Sequence, residues 1–284
     1  MRGNTQRNAW LPPLFPREAD STILSMKRRR NRSAWSYFLL TGALSLPFWL
    51  LGALSGTQLL PALPISALAA VCPVGAAAIL CYRESAGRGI RELLRKSFDF
   101  DRMKSKVWLL PTVLLMPLVS LIAYGVLRLR GTALPAPQIP LARAVGLFLV
   151  FFVGGLCEEL GWSGYAVDPL QDRFGALGAA LIIGGVWAAW HFVPLAEAHR
   201  SLGFVAWWTV DALAKRVIIV WLYIGAGRSV FAAALVHALS NLAWQLFPVN
   251  GSFYDPQVTG IILALLALFV VAVSGPAAFA RKSR

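Results

Sequence analysis

The feature that most constrains this chain is a series of long, nearly uncharged stretches along its length. Eight can be drawn, at about 34–54, 59–82, 107–127, 144–163, 178–195, 203–224, 229–247 and 258–280. Each is close to the roughly 20 residues that a helix needs to cross the hydrocarbon core of a bilayer. They are too long and too evenly apolar for the strands of an outer-membrane barrel, which read as short alternating runs. No water reaches the backbone in lipid, so a spanning segment must satisfy its own N–H and C=O groups, as a helix does. The fold class expected is all-α, a polytopic transmembrane bundle of about eight spans. Composition agrees: 57% of residues are hydrophobic and only 14% charged, against about 25% charged in ordinary soluble domains.

The net charge of +14 does not point to nucleic acid. The basic residues lie between apolar runs and do not form one stripe. They do set an orientation. Eight Lys and Arg fall in the first 33 residues and eight more in 83–106. With Arg173, Arg228 and three in the tail, one side carries 21, against four on the other: Arg128, Arg130, Arg143 and Arg200. The positive-inside rule then puts both termini in the cytoplasm, of a plasma membrane of prokaryotic type. Residues 1–33 read as a disordered basic cytoplasmic segment, 34–280 as a single transmembrane domain and 281–284 as a basic tail. The stretch "MKRRRNRSAWSYFLLTG" makes Met26 an alternative start to Met1. Cys72, Cys81 and Cys157 show neither disulfide nor zinc spacing and read as small buried hydrophobes.

The informative residues are the ionisable ones inside spans. Each costs a few kcal/mol or more at bilayer depth and so faces a cavity or a partner. Four places stand out: Glu158 and Glu159, His191, the group Asp211, Lys215 and Arg216, and His237 with Asn241. Residues four apart share a helix face, whereas adjacent residues diverge by roughly 100°. His237 and Asn241 therefore point together. Asp211 and Lys215 can neutralise each other. Glu158 and Glu159 point apart, which implies separate jobs; Glu158 shares a face with Trp162 and Glu159 with Ser163.

These residues fall into three phrases: "EELGWS" from Glu158 to Ser163, "WAAWH" from Trp187 to His191, and "HALSN" from His237 to Asn241. In order and spacing they resemble the EExxxR, FxxxH and HxxxN motifs of the CPBP family of intramembrane proteases, the group of CAAX prenyl proteases, bacteriocin-processing and Abi-type proteins. The resemblance covers roughly 145–247. It implies an intramembrane endopeptidase that hydrolyses peptide bonds of a membrane-associated protein or peptide, including CAAX-type prenylated ones. Glu158 and His191 would activate water, and His237 and Asn241 would complete the site. Many family members are named metalloproteases, which brings in Zn²⁺ as a cofactor.

The residues themselves allow both chemistries. A carboxylate in apolar surroundings can act as general base, with Asn or His donors for the oxyanion. Alternatively, Glu158, His191 and His237 make a three-ligand set for a catalytic zinc with an open position. No HExxH is present, which argues against a zinc protease of the soluble type.

Two positions depart from the motifs. Trp187 stands for Phe and keeps an aromatic. Ser163 stands for Arg and removes the cation four residues after Glu159, leaving Lys215 or Arg216 as substitutes. Ser163 favours an alternative reading, a catalytically inactive membrane scaffold or immunity protein; a third, a transporter, would use Asp211, Lys215 and the two His as a relay. If the chain is a protease, Glu158, His191, His237 and Asn241 should line one cavity opening toward the cytoplasmic half. The span limits raise one difficulty. At 1.5 Å per residue they put Glu158 and His191 about 10 Å apart in depth.

Overall fold

The computed structural model describes residues 33–103, 105–249 and 253–279. The expected basic segment and tail at the two ends lie outside them, apart from Ser33. All eight expected spans are helical over most of their length. They are α1 (Ala34–Ser55), α2 (Cys72–Ser85), α4 (Leu109–Leu129), α5 (Leu141–Gly161), α6 (Val167–Trp190), α8 (Leu202–Gly225), α9 (Val230–Leu246) and α10 (Pro256–Phe279). Two short helices, α3 (Gly87–Leu94) and α7 (Phe192–Glu197), lie in connections.

Among the described residues, five helical stretches are long and apolar enough to cross a membrane; one of them, Leu141–Glu197, covers two expected spans. α8 has the length but carries Asp211, Lys215 and Arg216, and α9 is shorter. Large apolar side chains stand exposed around the bundle, Leu39, Leu54, Leu268, Phe269 and Val273 among them. In water that would be an aggregating surface; in lipid it is the solvent-matched one. The chain is built as an integral membrane protein.

The span expected at 59–82 begins differently from the sequence reading. Residues 58–60 and 63–64 form a small antiparallel hairpin, β1 (Gln58–Leu60) with β2 (Leu63–Pro64), followed by 3₁₀ turns over Ile65–Val71. Pro61 and Pro64 explain this. Proline lacks the N–H a helix interior needs and biases the residue before it toward extended backbone. The regular helix starts at Cys72, with Pro73 in its first turn, where no N–H is required.

Serine caps set other starts. Ser33, Ser201 and Ser229 accept the N–H of Ser36, Phe204 and Ala232. Close packing follows from small residues. Ala232, Ala233, Ala234 and Ala238 on α9 are fully buried, and a side chain on Gly155 of α5 would meet the carbonyl of Ala234 at 3.3 Å. Backbones approach closely where side chains are small, which is how helices associate in lipid without a hydrophobic drive.

The largest departure concerns the fourth span. It does not end at 163. α5 passes through a π-helical turn, Trp162–Ala166, and helix continues into α6 as far as a break at Gly175, with φ 76° and ψ 171°. Only glycine adopts that conformation without strain. Gly161 allows the wider turn to form against α1 and α2: a Cβ there would lie 2.2 Å from the Tyr37 hydroxyl and 2.6 Å from the Pro73 carbonyl.

This moves the reversal of the chain and removes the depth difficulty. Glu158 precedes Gly175 by 17 positions and His191 follows it by 16. Both therefore lie about 25 Å along their helices from the same turn.

Candidate active site

Glu158 is the residue around which the site is built. It is 5% exposed. One of its oxygens, Oε2, accepts two indole N–H groups: Trp187 Nε1 on α6 at 2.8 Å and Trp162 Nε1, one turn along its own chain, at 3.3 Å. The other, Oε1, faces His237 Nε2 of α9 at 3.9 Å, too long for a direct hydrogen bond and suited to a bridging water. The carboxylate is thus held by one oxygen and presented by the other.

The two histidines are oriented alike. His237 Nδ1 is 2.9 Å from Glu159 Oε1, and His191 Nδ1 is 2.8 Å from its own Trp187 carbonyl. A carboxylate and a carbonyl only accept, so each Nδ1 carries the hydrogen. In the neutral ring each Nε2 then keeps a lone pair. His191 is boxed by Trp187, Trp190 and Trp208, with ring centroids at 4.8, 4.7 and 5.0 Å, and Trp187 also meets His237 edge-on at 5.6 Å. Asn241 lies one turn beyond His237 on α9. Glu158, His191, His237 and Asn241 all line a single cavity of about 370 Å³.

Glu159 has the separate job that its position implied. It is fully buried and lies in a closed set of donors. Arg216 Nη1 of α8 is 2.9 Å from Oε1 and 3.0 Å from Oε2, His237 adds its Nδ1–H, and the Ser163 hydroxyl donates to Oε2. The Arg216 guanidinium also lies over the Trp187 ring, 4.7 Å from its centroid, a cation–π contact. The cation missing at Ser163 therefore comes from the next helix pair. Lys215, the other candidate substitute, is engaged with Asp211 at 2.9 Å, and both line the cavity wall.

The tertiary structure adds roles that the residue pattern did not give. Trp187 keeps an aromatic at the motif position, as expected, and also donates to Glu158, which a phenyl ring cannot do. Trp162, in sequence only a face-mate of Glu158, also donates to it; an indole four residues from a buried acid is the signal for that role.

The cavity extends to the end of the bundle where the 56–71, 130–140 and 191–201 connections meet residues 247–249 and 253–255, with Leu59, Leu63, Leu134, Phe247, Pro248 and Phe253 in its wall, and this end is its mouth. The 83–106 connection, where the basic residues crowd, is at the other end. An opening toward the cytoplasmic half, which the positive charge assigns to that basic end, is therefore not what the lining shows; the turn at Gly175 lies there instead.

Residues 140–243 match a family model described as type II CAAX prenyl endopeptidase Rce1-like. The chain is similar to the Rce1-like endopeptidases. It is 25% identical over 263 residues to the CAAX prenyl protease 2 of Methanococcus maripaludis, spanning 83% of this chain and 92% of that protein. The matched region runs from the start of α5 to just past Asn241 on α9, and so includes every residue of the motif set.

A zinc ion here would have to be held by Glu158, His191 and His237. Both His rings have the tautomer of metal ligands whose second nitrogen is fixed by an acceptor. Yet among the described residues no three His, Cys, Asp or Glu side chains converge closely enough to hold a metal. The ligand set does not fit as it stands.

Proposed function

We propose that this protein is an intramembrane endopeptidase that hydrolyses a peptide bond of a membrane-associated protein or peptide, with Glu158 as general base. The observation that carries this reading is the meeting of Glu158, His191, His237 and Asn241 in one cavity inside the helical bundle.

Water beside His191 that donates to Glu158 Oε1 and His237 Nε2 loses a proton to Oε1 as its oxygen attacks the scissile carbonyl. The indole N–H groups of Trp187 and Trp162 fix Oε2, so Oε1 receives the proton. The Asn241 amide donates to the oxyanion; such a donor is typically worth about 10²–10³ in kcat. Glu158 then passes the proton to the departing amine. Glu159, tied to Arg216, holds His237 in the tautomer that leaves Nε2 open. Arg216 supports the catalytic reading over the inactive-scaffold reading, because it supplies the cation that Ser163 lacks.

The test is cleavage of a prenylated CAAX-type peptide, and of an unprenylated single-span peptide, by the purified protein in proteoliposomes. Glu158→Gln should lose turnover of whichever is cut and keep its fold, read by melting temperature. Equal turnover in that variant would overturn the assignment.

A further inference from the structure

We infer that the cavity is entered from the extracytoplasmic face, and that its substrate is an uncharged apolar segment of an exported or membrane-inserted polypeptide presented from that side. The second half rests on the peptidase reading; the first does not.

Hydrogen bonds and ring contacts assign the connections to two ends of the bundle. At one end, Lys96 donates to the carbonyl of Gly164, Asp99 accepts from Ser229, Val230 and Phe231, and Arg228 bonds Asp168 and Gln171. These contacts draw together the 83–106 connection, the turn around Gly175 and the start of α9. At the other end, Gln138 N–H donates to the Pro248 carbonyl, Ser66 bonds Glu197, and Tyr124 packs on Phe247. The residues of the cavity mouth belong to this second end.

The two ends differ sharply in charge. Among the described residues the first carries nine Lys and Arg, seven in the 83–106 connection together with Arg173 and Arg228. The second has Arg128, Arg130, Arg143 and Arg200. Short loops rich in Lys and Arg stay in the cytoplasm, so the mouth faces away from it. The mouth itself is apolar, with Leu59 and Phe253 both more than 40% exposed. Asp211 and Lys215 deeper in the wall neutralise each other, and Asp255 caps the start of α10 by accepting from the N–H groups of Gln257 and Val258, so the acid left facing a ligand is Glu158. A prenylated C-terminus displayed at the cytoplasmic surface would meet the basic end.

The experiment reads the side first and the chemistry second. In full-length protein with Cys72, Cys81 and Cys157 changed to Ala, single cysteines are placed at the mouth (Leu59→Cys, Phe253→Cys) and at the basic end (Arg91→Cys). A membrane-impermeant maleimide should label the mouth positions in intact cells and Arg91→Cys only after permeabilisation. The reverse pattern would overturn the inference. A C-terminal fluorescent-protein or phosphatase fusion of the unaltered chain gives the same answer if a cysteine variant fails to accumulate: fluorescence with no phosphatase activity supports the orientation, and phosphatase activity overturns it.

An apolar model peptide tethered to a single span is then displayed on one side or the other. Cleavage only of the extracytoplasmic version, lost in Glu158→Gln, supports the substrate class; cleavage only of the cytoplasmic version overturns it. Cleavage of neither overturns the substrate half and counts against the peptidase reading, while the labelling pattern still decides the side of entry.

Discussion

Arg216 and Glu159 form a fully buried ion pair across 57 positions of sequence, with Nη1 within 3.0 Å of both carboxylate oxygens. Removing one partner of such a pair leaves an uncompensated charge in a low-dielectric interior and costs about 3–5 kcal/mol. Arg216→Met should therefore lower the melting temperature in detergent sharply. Arg216→Met with Glu159→Gln should recover much of the loss. A double variant no more stable than the single would show that the pair is not what matters.

Ser163→Arg tests the same network from the other side. The site is fully buried and Glu159 already has its cation, so a second guanidinium brings overpacking and like charge. Overpacking alone costs about 1–3 kcal/mol. The thermal shift should be downward. It should turn neutral or upward when combined with Arg216→Met, because the new Arg then lies four residues after the acid, on the same helical face. A stabilising shift in the unaltered background would contradict the structure.

Trp187→Phe separates the two roles of that residue. The ring over Arg216 is kept and the N–H on Glu158 Oε2 is lost. Hydrogen bonds to charged groups are worth about 1.5–3 kcal/mol, so kcat should fall roughly ten- to a hundredfold with little change in KM. Trp162→Phe should cost less, because its bond is longer, 3.3 Å against 2.8 Å. Steady-state kinetics on both variants would decide, and an unchanged kcat in Trp187→Phe would remove the indole from the mechanism.

Chelation tests the metal question directly. The ligands do not converge, so activity in proteoliposomes should survive a strong chelator, with no stoichiometric zinc by elemental analysis. Loss of activity that added Zn²⁺ restores would make Glu158, His191 and His237 a metal site that closes on binding.

Gly175→Ala probes the turn that aligns the site. A side chain at φ 76°, ψ 171° costs of order 1–3 kcal/mol. Stability should drop by that amount. Turnover should fall as well, since this turn sets how α5 and α6 face each other and thus where Glu158 meets His191. Unchanged stability and rate would show that the break can move along the helix.

The membrane bundle, the approximate limits of its spans and the identity of the candidate residues are all legible in the order of the amino acids. Those properties are local. Span length follows from the run of apolar side chains, and the sharing of a face by His237 and Asn241, or by Glu158 and Trp162, follows from 3.6 residues per turn. What the tertiary structure decided depends on how helices distant in sequence are placed. Lys215 and Arg216 were equal candidates to replace the motif Arg, because adjacent residues on one helix differ only in direction. The packing of α8 against α6 aims Arg216 at Glu159 and leaves Lys215 with Asp211. The reversal at Gly175 is hidden because Asp168 and Pro169 read as the end of a span near 163, whereas the π-turn carries the helix on through them, and only a glycine in a conformation closed to other residues ends it. The end at which the cavity opens was equally out of reach, since a mouth is made by four connections meeting, and each of them alone is only a short, nearly uncharged loop.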